Sequence, residues 1–107
     1  MAFRSDLDAV ILAALSEGPL HGYAIVKRLQ ASSDGLLKLG EGQLYPALHR
    51  LERDGVVTAV WDQQEGKPSR RVYSLTILGK EELARCRSDW QRFVRSINRV
   101  LKVSPNT

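Results

Sequence analysis

Cysteine is almost absent from this chain of 107 residues, with Cys86 standing alone. A single thiol excludes an intrachain disulfide and the small secreted scaffolds built on such bridges, so a reducing cytoplasm is the expected compartment. Long apolar runs are missing too. No stretch approaches the roughly 20 residues needed to cross a bilayer, and the opening MAFRSDLDAV carries acids where a signal peptide needs an unbroken apolar core. A soluble, unprocessed protein with no membrane partner is expected. Histidine occurs only at His21 and His49, with no second histidine or cysteine at ligand spacing, so no metal is expected and His21 reads as a structural cap or core contact. Signs of catalysis are equally thin. Gly40-Glu41-Gly42 lacks the third glycine and the strand-to-helix turn of a dinucleotide fingerprint, no phosphate-loop lysine pattern occurs, and neither histidine has a partner base. No cofactor and no enzymatic activity are expected.

What the chain does have is positive charge and helical periodicity. Sixteen Lys and Arg against twelve Asp and Glu give a net charge of +4, a mild bias toward a polyanionic partner. The length suits one domain around a single modest core.

The first helix is expected over Asp6 to Glu17, where Leu7, Val10, Ile11, Ala14 and Leu15 recur at helical spacing; Ser5 or Asp6 can cap it and Gly18-Pro19 stop it. HGYAIVKRLQAS, His21 to Ser32, supplies the second, with Ile25, Val26 and Leu29 on one side and Lys27, Arg28 and Gln30 on the other. The third comes from GEGQLYPALHRLERDG, Gly40 to Gly55. At about 100° per residue, Leu48 and Leu51 fall within roughly 40° of Leu44, while Pro46, His49, Arg50 and Arg53 cluster opposite, with Gln43 at the border.

After Gly55 the period changes. VVTAVW and RRVYSLT are short and rich in β-branched and aromatic residues, and DQQEGKPS between them holds Gly66 and Pro68, so a β-hairpin is expected. Its tip and second strand carry Lys67, Arg70 and Arg71, three cations in five residues. Thr76 can cap a last helix reaching about Leu101. Within it Leu83, Cys86, Trp90, Phe93, Ile97 and Val100 are spaced by three, four, three, four and three, which keeps one seam facing a partner. A chain this short already has three helices and a hairpin to fill its core, so the seam predicts a homodimer.

Three helices, a hairpin and a further helix describe a mainly α fold with a β-hairpin wing: a winged helix-turn-helix plus a long C-terminal dimerisation helix. Residues 1–76 form the expected DNA-binding region and 77–107 the dimerisation helix and tail, within one compact unit. This reading also explains an awkward start to the third helix. Gly40 and Gly42 let a backbone approach closely, and free N–H groups with the helix dipole favour a phosphate. Pro46 sacrifices little within the first turn or two, where several N–H groups lack helical partners, and it offers an apolar edge to a sugar or thymine methyl.

LHGYAIVKRL, GQLYPALHRLERDGVV and RRVYSLTILGKEEL resemble, in order and spacing, the PadR family of bacterial transcriptional regulators, over about Leu7 to Ala84. The single helix after the wing looks like the family's short class, in which that helix builds the dimer. The resemblance implies a cytoplasmic repressor, nucleoid-associated when bound, that grips a pseudo-palindromic double-stranded operator as a homodimer. It carries Tyr23, Gln43, Tyr45 and Pro46 over as DNA contacts, with Lys67 and Arg70 reaching from the wing; Lys27, His49 and Arg50 complete the basic face. Gln43 suits adenine edges, Arg50 a guanine or a phosphate. Some members of the family's short class bind planar aromatic compounds in a pore between subunits, stacked on the tryptophan of the dimer helix, which makes Trp90 a candidate effector contact; the alternative is that Trp90 simply packs in the dimer. One departure stands out. Where the family commonly has Ser-Pro-Gly-Thr, this chain has Gly40-Glu41-Gly42-Gln43, losing a hydroxyl cap and adding a carboxylate. The alternative is a winged helix that binds another protein and has no specific DNA target.

Overall fold

The computed structural model describes residues 6–103, so Ser5 lies outside the described residues. Helix α1 spans Asp6–Ala14 and tightens into a 3-10 turn over Leu15–Glu17. The expected single helix therefore narrows in its last turn and stops at Gly18, whose φ of 141° lies where L side chains are rarely tolerated. Next comes an element absent from the sequence reading. Leu20–His21 form a short strand, β1, and helix α2 begins one residue later than expected, over Gly22–Ser32. His21 Nδ1 accepts a hydrogen bond from the Ala24 N–H at 3.4 Å, which makes the residue an N-cap.

Helix α3, Glu41–Arg53, buries Leu44, Ala47, Leu48 and Leu51, the face expected from periodicity. Its start requires a correction. Pro46 is the sixth residue of α3, past the N–H groups that lack helical acceptors, so it removes the donor the Gly42 carbonyl would otherwise meet. Gly42 is exposed, and water can satisfy that carbonyl.

Strands β2 (Val57–Gln64) and β3 (Lys67–Leu75) form the hairpin, and the sheet order is β1-β3-β2, antiparallel throughout. The strands run further than VVTAVW and RRVYSLT, leaving only Glu65-Gly66 as the turn, with Gly66 at φ 72°. Asp62 pairs with Arg70 but Gln64 with Lys67, so β3 carries one extra residue at Pro68-Ser69. That bulge accommodates a proline within the strand, beyond the reach of β1, which pairs only with Tyr73 and Val72.

Thr76 locks the junction to α4 (Ile77–Leu101). Its Oγ1 accepts from the Gly79 N–H at 3.0 Å and donates to the Gly55 carbonyl at 2.6 Å. Gly79 is required there, because a Cβ would run into the Val56 carbonyl. The core gathers Ile11, Leu12, Ile25, Leu44, Leu48, Leu51, Val57, Tyr73 and Leu83, fixing α1, α2, α3, the wing and the start of α4 to one another. At 1.5 Å per residue α4 is about 37 Å long, whereas the molecule measures 56 × 28 × 23 Å, so the helix projects well past the core.

Candidate nucleic-acid interface

Burial by Leu44, Ala47, Leu48 and Leu51 turns the other flank of α3 outward: Gly42, Tyr45, Pro46, His49 and Arg53 are exposed. At the tip, the Gln43 side chain reaches back to the Gly40 N–H at 3.4 Å, half of a capping box; glycine cannot supply the reciprocal bond. A Cβ at Gly40 or Gly42 would meet nothing within 4 Å, so nothing in the chain's own packing demands glycine at either position. On α2, Lys27 Nζ lies 5.4 Å from the centre of the Tyr23 ring and both are exposed, which groups them beside that flank.

Between α3 and the wing lies an open cleft of 420 Å³ lined by His21, Gly22, Tyr23, Tyr45, His49, Trp61, Arg70, Arg71 and Tyr73. The Tyr45 ring lies so close over Gly22 that a Cβ there would sit 2.5 Å from its hydroxyl. Cross-strand register sets Arg71 opposite Trp61, and the guanidinium lies 5.5 Å from the Trp61 ring and 5.9 Å from the Tyr73 ring. Arg71 Nη2 also donates to Glu52 Oε2 at 2.8 Å, tying the wing to α3. Its Nε is buried with no hydrogen-bond partner. Arg70 sits 3.6 Å from Asp62, both about half exposed. Lys67 forms no ion pair among the described residues.

Desolvation by burial and then the Arg70 charge push the His21 pKa below its usual 6.5, against a smaller opposing pull from Asp62. The ring is neutral at physiological pH. Because Nδ1 accepts the capping bond, its proton resides on Nε2. Burial likewise raises the Tyr73 hydroxyl above its usual range.

The structure thus brings Tyr23, Lys27, Tyr45, Pro46 and His49 to neighbouring surfaces, with Arg70 across the cleft. Gln43 borders a different groove, shared with Leu7, Val10 and Leu37. Arg50 stands apart from all of these: its Nη2 bonds the Asp8 carboxylate on α1. The seam on α4 divides as well. Leu83 and Cys86 are 4% and 9% exposed and already covered within the chain, whereas Trp90, Ile97 and Val100 are 49%, 38% and 76% exposed. Phe93 is half-buried, its ring centre 5.7 Å from that of Trp90. Trp61, Arg71 and His21 line the cleft without having been singled out for it; the pairing of Trp61 with Arg71 needs a hairpin register that the loop DQQEGKPS leaves open. Among the described residues no group of three His, Cys, Asp or Glu could hold a metal ion, and no helix is long and apolar enough to cross a membrane.

Against known proteins, residues 11–85 match the transcriptional regulator PadR-like family. The chain belongs to the PadR family. It is 41% identical over 81 residues to an uncharacterized 37.1 kDa protein in transposon TN4556 of Streptomyces fradiae, covering 76% of this chain and 22% of that one. A transcriptional regulator from Clostridium thermocellum has the same fold, with a TM-score of 0.80 and 29% identity over 87% of this chain and 90% of that one. Bacillus subtilis PadR in complex with operator DNA superposes with a TM-score of 0.69 and 31% identity, over 75% of this chain and 45% of that one. The chain therefore spans about a fifth of the first of these relatives and just under half of the third. The PadR fold here is the expected winged helix-turn-helix, and the family's members are transcriptional regulators, not enzymes.

Proposed function

We propose that this PadR protein is a sequence-specific DNA-binding repressor that holds a pseudo-palindromic operator as a homodimer. The observation that carries this is the meeting, on one side of the molecule, of the exposed flank of α3 with a cleft lined by two arginines and two histidines and by no carboxylate. Acids near the cleft face cations instead, Glu52 on Arg71 and Asp62 on Arg70, so the lining favours a polyanion. The complex of Bacillus subtilis PadR with operator DNA supports the choice of DNA. Tyr23, Lys27, Tyr45, Pro46, His49 and Arg70 form the proposed face, with Lys67 at the wing tip and Gln43 at the α3 tip. Arg50 joins it only if its pair with Asp8 opens.

Residues 1–76 carry the DNA and 77–107 the dimer. Ile97 and Val100, exposed on one subunit, would meet a second copy together with the exposed part of Trp90 and Phe93, each contributing up to about 1.5–3 kcal/mol if fully covered, while Leu83 and Cys86 serve the subunit's own core. An aromatic effector stacked on Trp90 between subunits would release the operator. The test is a genomic-fragment selection followed by affinity measurements across salt. Six phosphate contacts weaken binding by about 10³ between 50 and 200 mM salt; no selected duplex, or a flat salt response, favours a protein partner instead.

A further inference from the structure

We infer that the C-terminal half of α4 carries a second nucleic-acid contact: a cationic stripe of Arg92, Arg95, Arg99 and Lys102 that holds the backbone of a second DNA duplex without reading its sequence. The inference rests on the DNA-binding reading and adds a contact outside α3 and the wing. The chain's charge is unevenly placed. Residues 90–103 hold four cations and no acid, so this one stretch carries the whole net charge of +4 and the rest of the chain is neutral in sum. At about 100° per residue the four cations fall within an arc of about 80° on the helix surface, and Trp90, Phe93, Ile97 and Val100 occupy the opposite arc. All four cations are exposed. Arg92 shares Asp89 with Arg85, whereas Arg95, Arg99 and Lys102 form no ion pair among the described residues.

The helix's own needs do not account for the stripe. A cation near the C-terminus offsets the helix dipole, but that effect fades within the last turn, which leaves Arg92 and Arg95 outside it. Successive members stand three or four residues apart, so each neighbouring pair is a like-charge pair that weakens an isolated helix. A polyanion laid along the stripe turns that repulsion into attraction. The surroundings select DNA among polyanions. Ser88, Gln91, Ser96 and Asn98 lie among or beside the cations, so the surface offers charge and hydrogen-bonding groups but no aromatic or aliphatic anchor of the kind that centres a protein interface. A phosphate backbone needs no such anchor. Insertion into a bilayer requires an apolar face beside the cations, and the apolar seam of α4 points the other way. From Arg92 to Lys102 the stripe is about 15 Å long, a length over which one strand of B-DNA presents about four phosphates.

The test saturates the protein with an operator duplex recovered by genomic selection, adds a fluorescent random-sequence duplex of the same length, and measures the doubly loaded complex by sedimentation. Wild type should take up the second duplex, and a stripe making three phosphate contacts should lose about 40-fold in that affinity between 50 and 200 mM salt. Arg95→Gln with Arg99→Gln and Lys102→Gln should abolish the uptake and leave operator affinity within about threefold. Arg95→Lys with Arg99→Lys should retain it, since the contact uses charge rather than a fixed fork. Melting by circular dichroism verifies that each variant is folded. Uptake that survives the glutamine substitutions, or is absent in a wild type that still binds its operator, overturns the inference while leaving the DNA-binding reading intact. Stripe-dependent capture of phosphatidylglycerol vesicles or of polyglutamate, with no second duplex taken up, assigns the face to another polyanion and overturns it too. A wild-type protein that binds no duplex at all overturns both this inference and the DNA-binding reading.

Discussion

Removing the Arg50 guanidinium separates a scaffolding role from a DNA contact. In the folded chain Arg50 faces the Asp8 carboxylate across α1 and α3, with side-chain exposures of 41% and 15%. A fully exposed pair contributes about 0–1 kcal/mol, and breaking a fully buried one from one side costs about 3–5 kcal/mol. Here the acid is sheltered and the base half in water, so Arg50→Ala should cost about 1–2 kcal/mol, mainly by stranding Asp8. At about 4–8 °C per kcal/mol for a domain of this size, the melting temperature should fall by roughly 4–16 °C at fixed protein concentration. Asp8→Asn in the same chain should recover most of the loss, because it removes the stranded charge. Urea denaturation and thermal melting measure both. Affinity for a selected duplex, taken where both proteins are folded, should change by less than about threefold, since a surface change away from the contact falls within ±0.5 kcal/mol. An unchanged melting temperature with a tenfold or greater loss of DNA binding would refute the reasoning and return Arg50 to the guanine or phosphate contact its position on α3 suggests.

Three further outcomes are expected. Gly42→Ala should raise stability by roughly 0.5–1 kcal/mol, as an alanine does in an exposed helix, yet weaken DNA binding if the backbone must approach the duplex there; titrations of melting and affinity on one preparation check both signs. His21 has a folded pKa below its usual 6.5, so the unfolded chain takes up a proton first and stability should fall as pH drops below about 6.5, with no contribution from this group above it. Denaturation midpoints between pH 5 and 8 test that, and His21→Gln should flatten the dependence. Ile97→Glu with Val100→Glu should yield a folded monomer by sedimentation, because both side chains are exposed on one subunit and the charges would be buried only against a second copy.

Periodicity located all four helices and the hairpin because each rests on local spacing: Leu44, Leu48 and Leu51 mark the buried face of α3 whatever lies against it, and Thr76 caps α4 through residues three apart. What escaped depends on residues distant in sequence. Leu20 and His21 are too few to show alternation, and they are a strand only because β3 supplies Tyr73 and Val72. The hairpin register hinges on a bulge at Pro68-Ser69 that no local pattern fixes, so the facing of Arg71 and Trp61 could not be read. The Arg50–Asp8 and Arg71–Glu52 pairs join residues 42 and 19 positions apart. A six-membered seam on α4 also concealed a division: its first two members are buried within the chain, whereas Trp90, Ile97 and Val100 are exposed. The fold was therefore more accessible to sequence reasoning than the site, since a site is a meeting of separate elements.

The central claim is that two copies present α3 and the wing together to one duplex. Hydroxyl-radical footprinting of the protein on a selected genomic fragment addresses it most directly. The predicted pattern is a pair of protected tracts related by two-fold symmetry, with centres about one helical turn, 10–10.5 base pairs, or a multiple of it apart. A single unpaired tract, or no protection at concentrations where the protein is dimeric, would contradict it.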